Sequence, residues 1–376
     1  MKLVAAIIGK GKKVDQTVEQ KKLLLTDVLA DVSRAFYLSI WVLPSLVREP
    51  IGVAYLLARA ADTLADNPQA DPKVRLADLE KWQAILASKG APEESQPFWD
   101  YLKAYVQGAK SGTLAVAVGA SPGSITKGEA RLLTRLDEVY SLYLNLDLFA
   151  QQQALEVVST LIEGMKLDLR SFPGAFTTDE QLENYTYLVA GCVGQFWSRI
   201  TAHYLHAIKA EDLPSMESLG ISFGKALQYV NVLRDMPRDI RCGRLYVPCL
   251  GLEKFLEPAQ QNDAKLSAFK VKLRPWIDKA LDHFYDALLY IQKTPKTALF
   301  LRLSTVWPVA IGLGTLLEMA GNPEWPTFSK RVKVSRPWVY TMMAISLVMV
   351  WSNGALSWTF SSMRKKINKY FDSLSA

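Results

Sequence analysis

Apolar residues recur at intervals of three and four along most of this chain, and this helical periodicity is its strongest constraint on the fold. No run of alternating apolar and polar residues indicates a β-strand, and neither an internal repeat nor a domain linker is evident. At 376 residues the chain can bury a substantial core. The pattern predicts one all-α domain, with helices at residues 23–40, up to 66, and at 74–88, 98–109 and 131–165.

Proline and capping residues predict where helices stop and start. Pro44 and Pro50 indicate a break before the helix that ends at Asp66, because proline removes a backbone donor and restricts the preceding residue. Thr178 is followed three residues later by Gln181, the spacing of a capping box. A new helix is therefore expected to begin just after Thr178.

Charge and cysteine content restrict the classes of partner. The net charge of +7 suits nucleic acid, an anionic membrane surface or an acidic substrate. No dense basic patch is interleaved with aromatic residues, so we expect no nucleic-acid partner and favour a phosphorylated substrate or a membrane surface. Three cysteines without a Cys-x-x-Cys pair indicate neither a disulfide framework nor a zinc site.

The stretch from Gln228 to Pro248 combines carboxylates with arginines. Asn231, Asp235 and Asp239 follow one another at intervals of four, which places them on one helical face. Such oxygen ligands suit Mg²⁺, which keeps waters and shares substrate phosphates. The alternative is a solvated, charged helix end. The guanidinium fork matches phosphate oxygens, and four arginines lie in this stretch: Arg234, Arg238, Arg241 and Arg244.

A second pair of aspartates, Asp62 and Asp66, repeats the four-residue spacing at the end of an apolar helical run. Two such sites can face each other across a cavity and hold several metal ions against one diphosphate. The chain contains no Gly-x-Gly-x-x-Gly segment after a strand and no Walker-type loop. Any diphosphate is therefore expected to be bound by metals and side chains.

Four segments give the chain a resemblance to the squalene/phytoene synthase family. Residues 62–66, Asp-Thr-Leu-Ala-Asp, resemble the first aspartate-rich motif, and residues 231–239, Asn-Val-Leu-Arg-Asp-Met-Pro-Arg-Asp, resemble the second. Residues 185–194 resemble the family's tyrosine-bearing helix, and residues 33–36 its N-terminal phosphate-contacting segment. The resemblance covers roughly residues 33–340, and the segments occur in the family's order.

The resemblance implies the fold of an isoprenoid synthase, a single-domain helical bundle around a central apolar cavity. It divides the chain into an N-terminal extension at residues 1–22, a catalytic domain at 23–336 and a C-terminal apolar helix with a basic tail at 337–376. A monomer is favoured.

The resemblance also implies a role for each residue that matches a family motif. Tyr185 would handle a proton in the first half-reaction, although a phenol with a pKa of about 10 is a poor base. The catalytic metal, Mg²⁺, would be bound by Asp62, Asp66, Asn231, Asp235 and Asp239. The substrate and its diphosphate would be contacted by Ser33, Arg34, Phe36, Tyr55, Arg59, Gln228, Arg234 and Arg244.

Simpler structural roles stay open for two of these residues. Arg59 lies three residues before Asp62, so it can form a local salt bridge on the same helical face. Tyr185 can be an ordinary core aromatic. Pro237 departs from the family pattern, because it disfavours helical geometry at Met236 and removes an amide donor. Asp239 is therefore expected on a looser last turn, with a less secure metal role than Asp235.

The C-terminal third resembles the branch of the family that reduces its intermediate to squalene. Residues 303–316 and the basic segment 328–336 both resemble segments of that branch. The implied reaction joins two molecules of farnesyl diphosphate and uses hydride from NADPH. A non-reducing member of the family and a non-enzymatic membrane-associated helical protein remain as alternatives. The phosphates of the cofactor would be bound by Lys330, Arg331, Lys333 and Arg336; the other possibility is a basic surface loop.

Residues 338–360 are free of charged side chains, and 23 residues are long enough to span a bilayer. Asn353 and Gly354 interrupt this stretch, and a basic cluster follows it. We favour the last core helix of the fold, which binds a membrane surface rather than spanning the bilayer. Positive charge then places the protein on the cytoplasmic side, peripherally or through its C-terminal region. The basic cluster comprises Arg364, Lys365, Lys366 and Lys369.

Overall fold

The computed structural model describes residues 19–375 except 34, 68–69, 112–124, 250–262 and 327–331. These residues are almost entirely helical, which confirms the all-α prediction. They form two compact units. The first comprises described residues up to 41 together with 45–166, and the second comprises 42–44 together with those from 167 onward.

In the first unit a π-helical turn, Leu23–Val28, leads into a series of helices that we number in chain order. A 3₁₀ turn at Pro92–Ser95 precedes the fifth helix. The helices are α1 (Leu29–Ser33), α2 (Ala35–Trp41), α3 (Ser45–Ala65), α4 (Pro72–Ser88), α5 (Gln96–Ser111), α6 (Lys127–Leu133), α7 (Leu136–Leu144) and α8 (Leu148–Ser171), whose last residues belong to the second unit.

Two predicted boundaries in this unit are wrong. Pro50 lies inside α3 rather than at a break before it, because the helix already begins at Ser45. The single helix predicted at residues 131–165 is three helices, α6, α7 and the beginning of α8. Asp147 caps α8 by accepting a hydrogen bond from the Ala150 amide at 3.0 Å. Buried leucines on both sides of the first turn, Leu133 and Leu136, conceal it from the periodicity.

An aromatic cluster forms the core of the first unit. Trp82 packs against Phe98 and Trp99 with ring centroids 6.2 and 6.0 Å apart, and Tyr140 packs against Trp99 at 5.7 Å. The Trp82 indole donates to the Leu57 carbonyl at 3.3 Å and so ties α4 to α3. Burial of these rings stabilises the scaffold that carries the first aspartate pair.

The second unit contains the remaining helices and one small sheet. Thr178 accepts from the Gln181 amide and Gln181 returns the bond, which confirms the predicted capping box. The elements are β1 (Gly174–Ala175), α9 (Asp179–Thr186), a π-helical turn (Tyr187–Gly191), α10 (Cys192–Leu205), a 3₁₀ turn (Ala210–Asp212), α11 (Leu213–Arg241), β2 (Arg244–Leu245), α12 (Asp263–Lys293), α13 (Leu299–Gly321), α14 (Arg336–Met349) and α15 (Asn353–Ser375). Strands β1 and β2 are parallel, with Gly174 beside Arg244.

Helices α10 and α11 cross with their backbones in contact. A Cβ atom on Gly194 would lie 1.8 Å from the Gly220 carbonyl oxygen, and one on Gly220 would lie 2.6 Å from the Gly194 carbonyl oxygen. Only glycine allows this approach. Gly194, the last residue of the predicted tyrosine segment, therefore has a packing role.

The uncharged stretch at residues 338–360 is not one helix. Helix α14 ends at Met349, and α15 begins at Asn353. The Ser352 hydroxyl accepts from the Ala355 amide at 3.2 Å and caps the new helix. The chain therefore forms two helices here, and the break coincides with the interruption seen in the sequence, where a serine caps the new helix.

One helix among the described residues, α13, is long and apolar enough to cross a membrane. Within its most apolar window, 72% is buried inside the protein, and a core helix of a soluble protein passes the same test.

Glu183 on α9 is the centre of a polar cluster that joins three helices. Its carboxylate accepts from Lys225 at 2.8 Å, from the Tyr229 hydroxyl at 2.6 Å and from Lys279 at 3.1 Å. His283 lies 3.8 Å away. Burial acts to raise the pKa of Glu183, but these donors outweigh it and hold the pKa well below its usual range. The cluster fixes α9, which carries Tyr185, to α11 and α12.

We predict that Glu183→Gln lowers the free energy of unfolding by about 2 kcal/mol at neutral pH, since it removes charged hydrogen bonds. A depressed carboxyl pKa contributes stability above the unfolded value of about 4.3, and this contribution is lost as pH falls below it. The difference between wild type and variant in urea denaturation should therefore be constant from neutral pH down to about pH 5 and shrink below about pH 4. A difference that grows on acidification would contradict this.

Candidate active site

The first aspartate pair lies at the C-terminal end of α3. Asp62 is within the helix, with 36% of its side chain exposed, and Asp66 follows the last helical residue and is exposed. The Asp66 amide donates to the Asp62 carbonyl at 2.9 Å, so the chain keeps a helical turn between the two. Burial, with the charge of Asp66 as a second cause, raises the pKa of Asp62 to about 7. This pair is short of positive charge.

Arg59 provides part of that charge and is held in turn by Glu129. One end of its guanidinium donates to Asp62 and the other to Glu129, which lies 70 residues further along the chain. Burial acts to raise the pKa of Glu129, but hydrogen bonds from Thr126 and the charge of Arg59 outweigh it. The local salt bridge that the sequence left open does form, and Glu129, which no motif indicated, fixes Arg59 beside the aspartates.

The N-terminal segment is only partly in a position to contact a ligand. Ser33 is buried, and its hydroxyl donates to the Leu29 carbonyl at 2.5 Å. Phe36 is 48% exposed. The Tyr55 hydroxyl donates to the Val32 carbonyl at 3.4 Å. Tyr55 lies one turn before Arg59 on α3. Arg34 lies outside the described residues.

The second aspartate group lies on the last turns of α11. Asp235 forms an ion pair with its neighbour Arg234 at 2.6 Å, and its side chain is 15% exposed. Asn231 donates to Gln228 at 3.3 Å, one turn earlier. Asp239 lies 3.7 Å from Arg238, and burial raises its pKa to about 6. Helix geometry therefore places the three predicted metal ligands on one face, as their spacing indicated.

Pro237 does not loosen this helix, and that prediction is wrong. Helix α11 runs unbroken to Arg241, and the Cys242 amide donates to the Asp239 carbonyl at 2.9 Å. The hydrogen bond that proline cannot make is the one to the Leu233 carbonyl. That carbonyl instead accepts from the Trp325 indole at 3.4 Å, which replaces the missing amide. Asp239 therefore has a regular helical position.

Tyr185 is buried in an aromatic group at the end of α9. Its ring stacks on Tyr246, with centroids 4.9 Å apart and planes at 24°, and meets Phe176 edge to face at 5.7 Å. Burial, followed by the charge of Asp168, raises the pKa of Tyr185 far above its ordinary value. The phenol therefore keeps its proton at neutral pH.

Asp168 and Tyr246 complete this group, and sequence reasoning missed both. The Tyr246 hydroxyl donates to Asp168, and a hydrogen bond also joins it to Tyr185. Arg244 lies 3.3 Å from the other oxygen of Asp168. Parallel pairing of β2 with β1 brings Arg244 and Tyr246 beside the end of α8. A possible signal was the position of Tyr246 in the motif stretch, two residues after Arg244.

The donor atoms fit Mg²⁺ shared with a diphosphate. Among the residues that the structure describes, no three or more His, Cys, Asp or Glu side chains cluster closely enough to hold a metal ion by themselves. The aspartates occur instead as pairs beside arginines. Mg²⁺ is usually held by one or two carboxylates, with substrate phosphates and waters as the other ligands. The pairs match that requirement.

The described part of the basic segment is anchored by its apolar residues. Val332 is buried, and Val334 and Trp338 pack against Gly314 of α13, where a Cβ atom would lie 2.5 Å from the Trp338 ring. Lys333 and Arg336 are exposed. Lys330 and Arg331 lie outside the described residues.

Comparison with known proteins gives one family. The family model described as squalene/phytoene synthase matches residues 29–338. The 15-cis-phytoene synthase of Synechocystis sp. is 24% identical over 85% of this chain and 82% of its own length. The squalene synthase of Solanum lycopersicum is 27% identical over 82% of this chain and 66% of its own length. Relatives of both kinds are therefore similar to this chain at comparable identity.

Solved structures share the fold. The complex of TcSQS with the ligand BPH1237 superimposes with a TM-score of 0.70 at 19% identity and covers 95% of this chain and 96% of its own. A dehydrosqualene synthase in complex with a ligand has a TM-score of 0.56 at 16% identity, over 88% of this chain and 96% of its own. At these identities the likeness establishes the isoprenoid synthase helical fold and leaves the reaction to the site.

We predict that Asp62→Asn and Asp235→Asn each lower Mg²⁺-dependent pyrophosphate release from a prenyl diphosphate by about 100-fold or more, because each removes a carboxylate that would hold the Mg²⁺ needed to neutralise the leaving group. Asp62→Asn should not lower the melting temperature, since its raised pKa means that the folded protein holds this charge at a cost. Asp212→Asn, at an exposed carboxylate, is the matched control. Normal release by both site variants would contradict the assignment.

We predict that Tyr246→Phe lowers the turnover number of the first condensation without changing the KM for the prenyl diphosphate. The change removes the hydroxyl that joins Tyr185 to Asp168, while both rings keep their stacking. Tyr229→Phe is the matched control, because it also removes a phenol bound to a carboxylate, at 2.6 Å from Glu183. Equal effects of the two variants on turnover would mean that Tyr246 is merely structural.

Proposed function

Because this chain belongs to the squalene/phytoene synthase family, we propose that it is a squalene synthase. It condenses two farnesyl diphosphates head to head into presqualene diphosphate, which it then rearranges and reduces with NADPH to squalene. The observation that supports the reductive step of this reaction is the anchored basic segment. Its apolar residues pack inward, while Lys333 and Arg336 are exposed.

Each aspartate group would bind a substrate diphosphate through Mg²⁺. Asp62 and Asp66 would hold the ion at one group, and Asn231, Asp235 and Asp239 would hold it at the other. When bound, Mg²⁺ acts as a Lewis acid on the departing pyrophosphate. Arg59, Arg234 and Arg244 add charge that is already in place, since each is paired with a carboxylate that orients it. Preorganised charge of this kind lowers the cost of ionisation.

Tyr185 takes part in the first half-reaction through its hydroxyl. Its raised pKa makes it a poor base near neutral pH, so we assign the role of base to the released pyrophosphate. Tyr246 and Asp168 orient the phenol from the other side. Ser33, Arg34, Phe36, Tyr55 and Gln228 complete the proposed substrate contacts, with Ser33 acting through its backbone because its hydroxyl is already bonded.

Lys333 and Arg336, together with Lys330 and Arg331, bind the phosphates of NADPH. Exposed cations on an anchored segment lose less conformational freedom on binding than cations on a free loop. Bound there, NADPH would supply the hydride that reduces the carbocation left by the rearrangement.

A non-reducing synthase of the same family is the second candidate. Of the two relatives described above, the phytoene synthase is matched over 82% of its own length and the squalene synthase over 66%. Such an enzyme would form presqualene diphosphate, dehydrosqualene or phytoene without a reductant.

We propose that the enzyme works as a monomer at the cytoplasmic side of a membrane, without a nucleic-acid partner. Squalene is a hydrocarbon and enters lipid rather than water. A membrane surface therefore gives the product an exit.

The test is product analysis of the purified protein with farnesyl diphosphate and Mg²⁺, with and without NADPH. We expect squalene only with NADPH, and presqualene diphosphate without it. Dehydrosqualene in both reactions, or squalene in neither, would place the protein in the non-reducing branch. If the protein turns over geranylgeranyl diphosphate and not farnesyl diphosphate, then the proposed substrate is wrong and the longer diphosphate takes its place.

The basic segment is tested in the same assay. Lys333→Gln with Arg336→Gln should raise the KM for NADPH and leave presqualene diphosphate formation unchanged. Lys365→Gln with Lys366→Gln, at two exposed lysines of α15, is the matched control. An unchanged KM for NADPH would remove these residues from the cofactor site.

A further inference from the structure

Large apolar side chains are exposed at the end of α14, in the turn that follows it and in the first part of α15. Leu347 is 54% exposed, Val348 76%, Trp351 51% and Trp358 73%. We call these four residues the apolar turn patch. Among the residues of α14, Ser346 is the one that is fully buried, and it is polar. Much of the apolar surface of this helix is therefore exposed, although Trp338 packs on Gly314, whereas a helix that packs onto a water-soluble core turns most of its apolar side chains inward.

The turn that carries the patch is held firmly in place. Arg302 is fully buried at the start of α13 and donates to the Asn353 side chain at 2.7 Å and to the Thr294 carbonyl at 2.8 Å. Gln292 at the end of α12 donates to Ser357 at 2.7 Å and to the Asn353 carbonyl at 3.2 Å. These bonds join the α14–α15 turn to the α12–α13 turn. The patch is therefore a fixed surface.

Basic side chains predominate in the chain around the patch. No Asp or Glu occurs from residue 287 to 317 or from residue 332 to 371. Exposed basic residues lie on both sides of the patch in the chain, at Lys293, Lys296 and in the second half of α15. The second half of α15 carries Lys365, Lys366 and Lys369, all exposed, while Arg364 is paired with Asp282 at 2.7 Å. An apolar surface with positive flanks complements anionic headgroups over acyl chains.

We propose that the α14–α15 turn is a membrane-docking surface, which inserts the apolar turn patch at the headgroup–acyl boundary of a bilayer that contains anionic lipid. Tryptophan prefers that boundary, where its ring is in lipid and its N–H is near water. A second copy of the chain is a poorer occupant, because a symmetric contact would bring the basic flanks of two copies together. This inference rests on the membrane location proposed above and not on the identity of the reaction.

The test is cosedimentation of the full chain with phosphatidylcholine vesicles, with and without phosphatidylserine. We expect binding that is stronger with phosphatidylserine and weaker at high salt, because salt screens the basic flanks. Val348→Asp and Trp351→Ser should each reduce the vesicle partition coefficient about tenfold or more, since each withdraws a large apolar side chain from lipid. Leu148→Asp is the matched control, because Leu148 is 79% exposed on α8 and should bind as wild type does.

Three results would overturn the proposal: no vesicle binding by the wild type, unchanged binding by both patch variants, or an equal loss in Leu148→Asp. A wild-type dimer that Val348→Asp converts to a monomer, without vesicle binding, would show that a second copy covers the patch. Pyrophosphate release without vesicles, measured on the same variants, separates this question from the proposed reaction. Variants that retain release but lose vesicle binding support the docking surface whatever the product.

Discussion

Carboxylates drawn partly out of water, each beside an arginine, are the interaction on which the site depends. Arg59 lies between Asp62 and Glu129, Arg234 pairs with Asp235, and Arg244 pairs with Asp168. Burial raises the pKa of Asp62 to about 7 and of Asp239 to about 6, so these sites are incomplete without further cations. A divalent cation shared with a diphosphate would supply that charge and bring its own counter-charge. Helices α3 and α11 hold these carboxylates partly shielded from water before substrate binds.

Regular helix geometry fixes where these carboxylates lie relative to one another within each group. A spacing of four residues keeps Asn231, Asp235 and Asp239 on one face only if the helix is regular, and the Trp325 indole maintains that regularity past Pro237. Glu183 fixes the position of α9 by joining it to α11 and α12. The fold thus stabilises the site with ordinary hydrogen bonds placed away from the reacting groups.

Periodicity and local spacing predicted the all-α class, the capping box at Thr178 and the faces of both aspartate groups, because each depends on residues within one or two turns. They could not predict Glu129 or Tyr246, whose partners lie 70 and 78 residues away. The proline rule failed at Pro237 for a related reason, because the Trp325 indole that bonds the freed Leu233 carbonyl lies 92 residues from it. The restart of the chain at Ser352 is by contrast a local feature, and the sequence showed it as an interruption of the apolar stretch.

We propose above that each aspartate group binds Mg²⁺ together with a prenyl diphosphate. Titration calorimetry with a non-ionisable thio-analogue of farnesyl diphosphate tests it most directly, since binding is measured without turnover. We predict that the analogue binds tightly only with Mg²⁺ present, and that Asp62→Asn and Asp235→Asn each abolish this dependence. Equally tight binding without Mg²⁺, or a dependence that survives in both variants, would contradict the account.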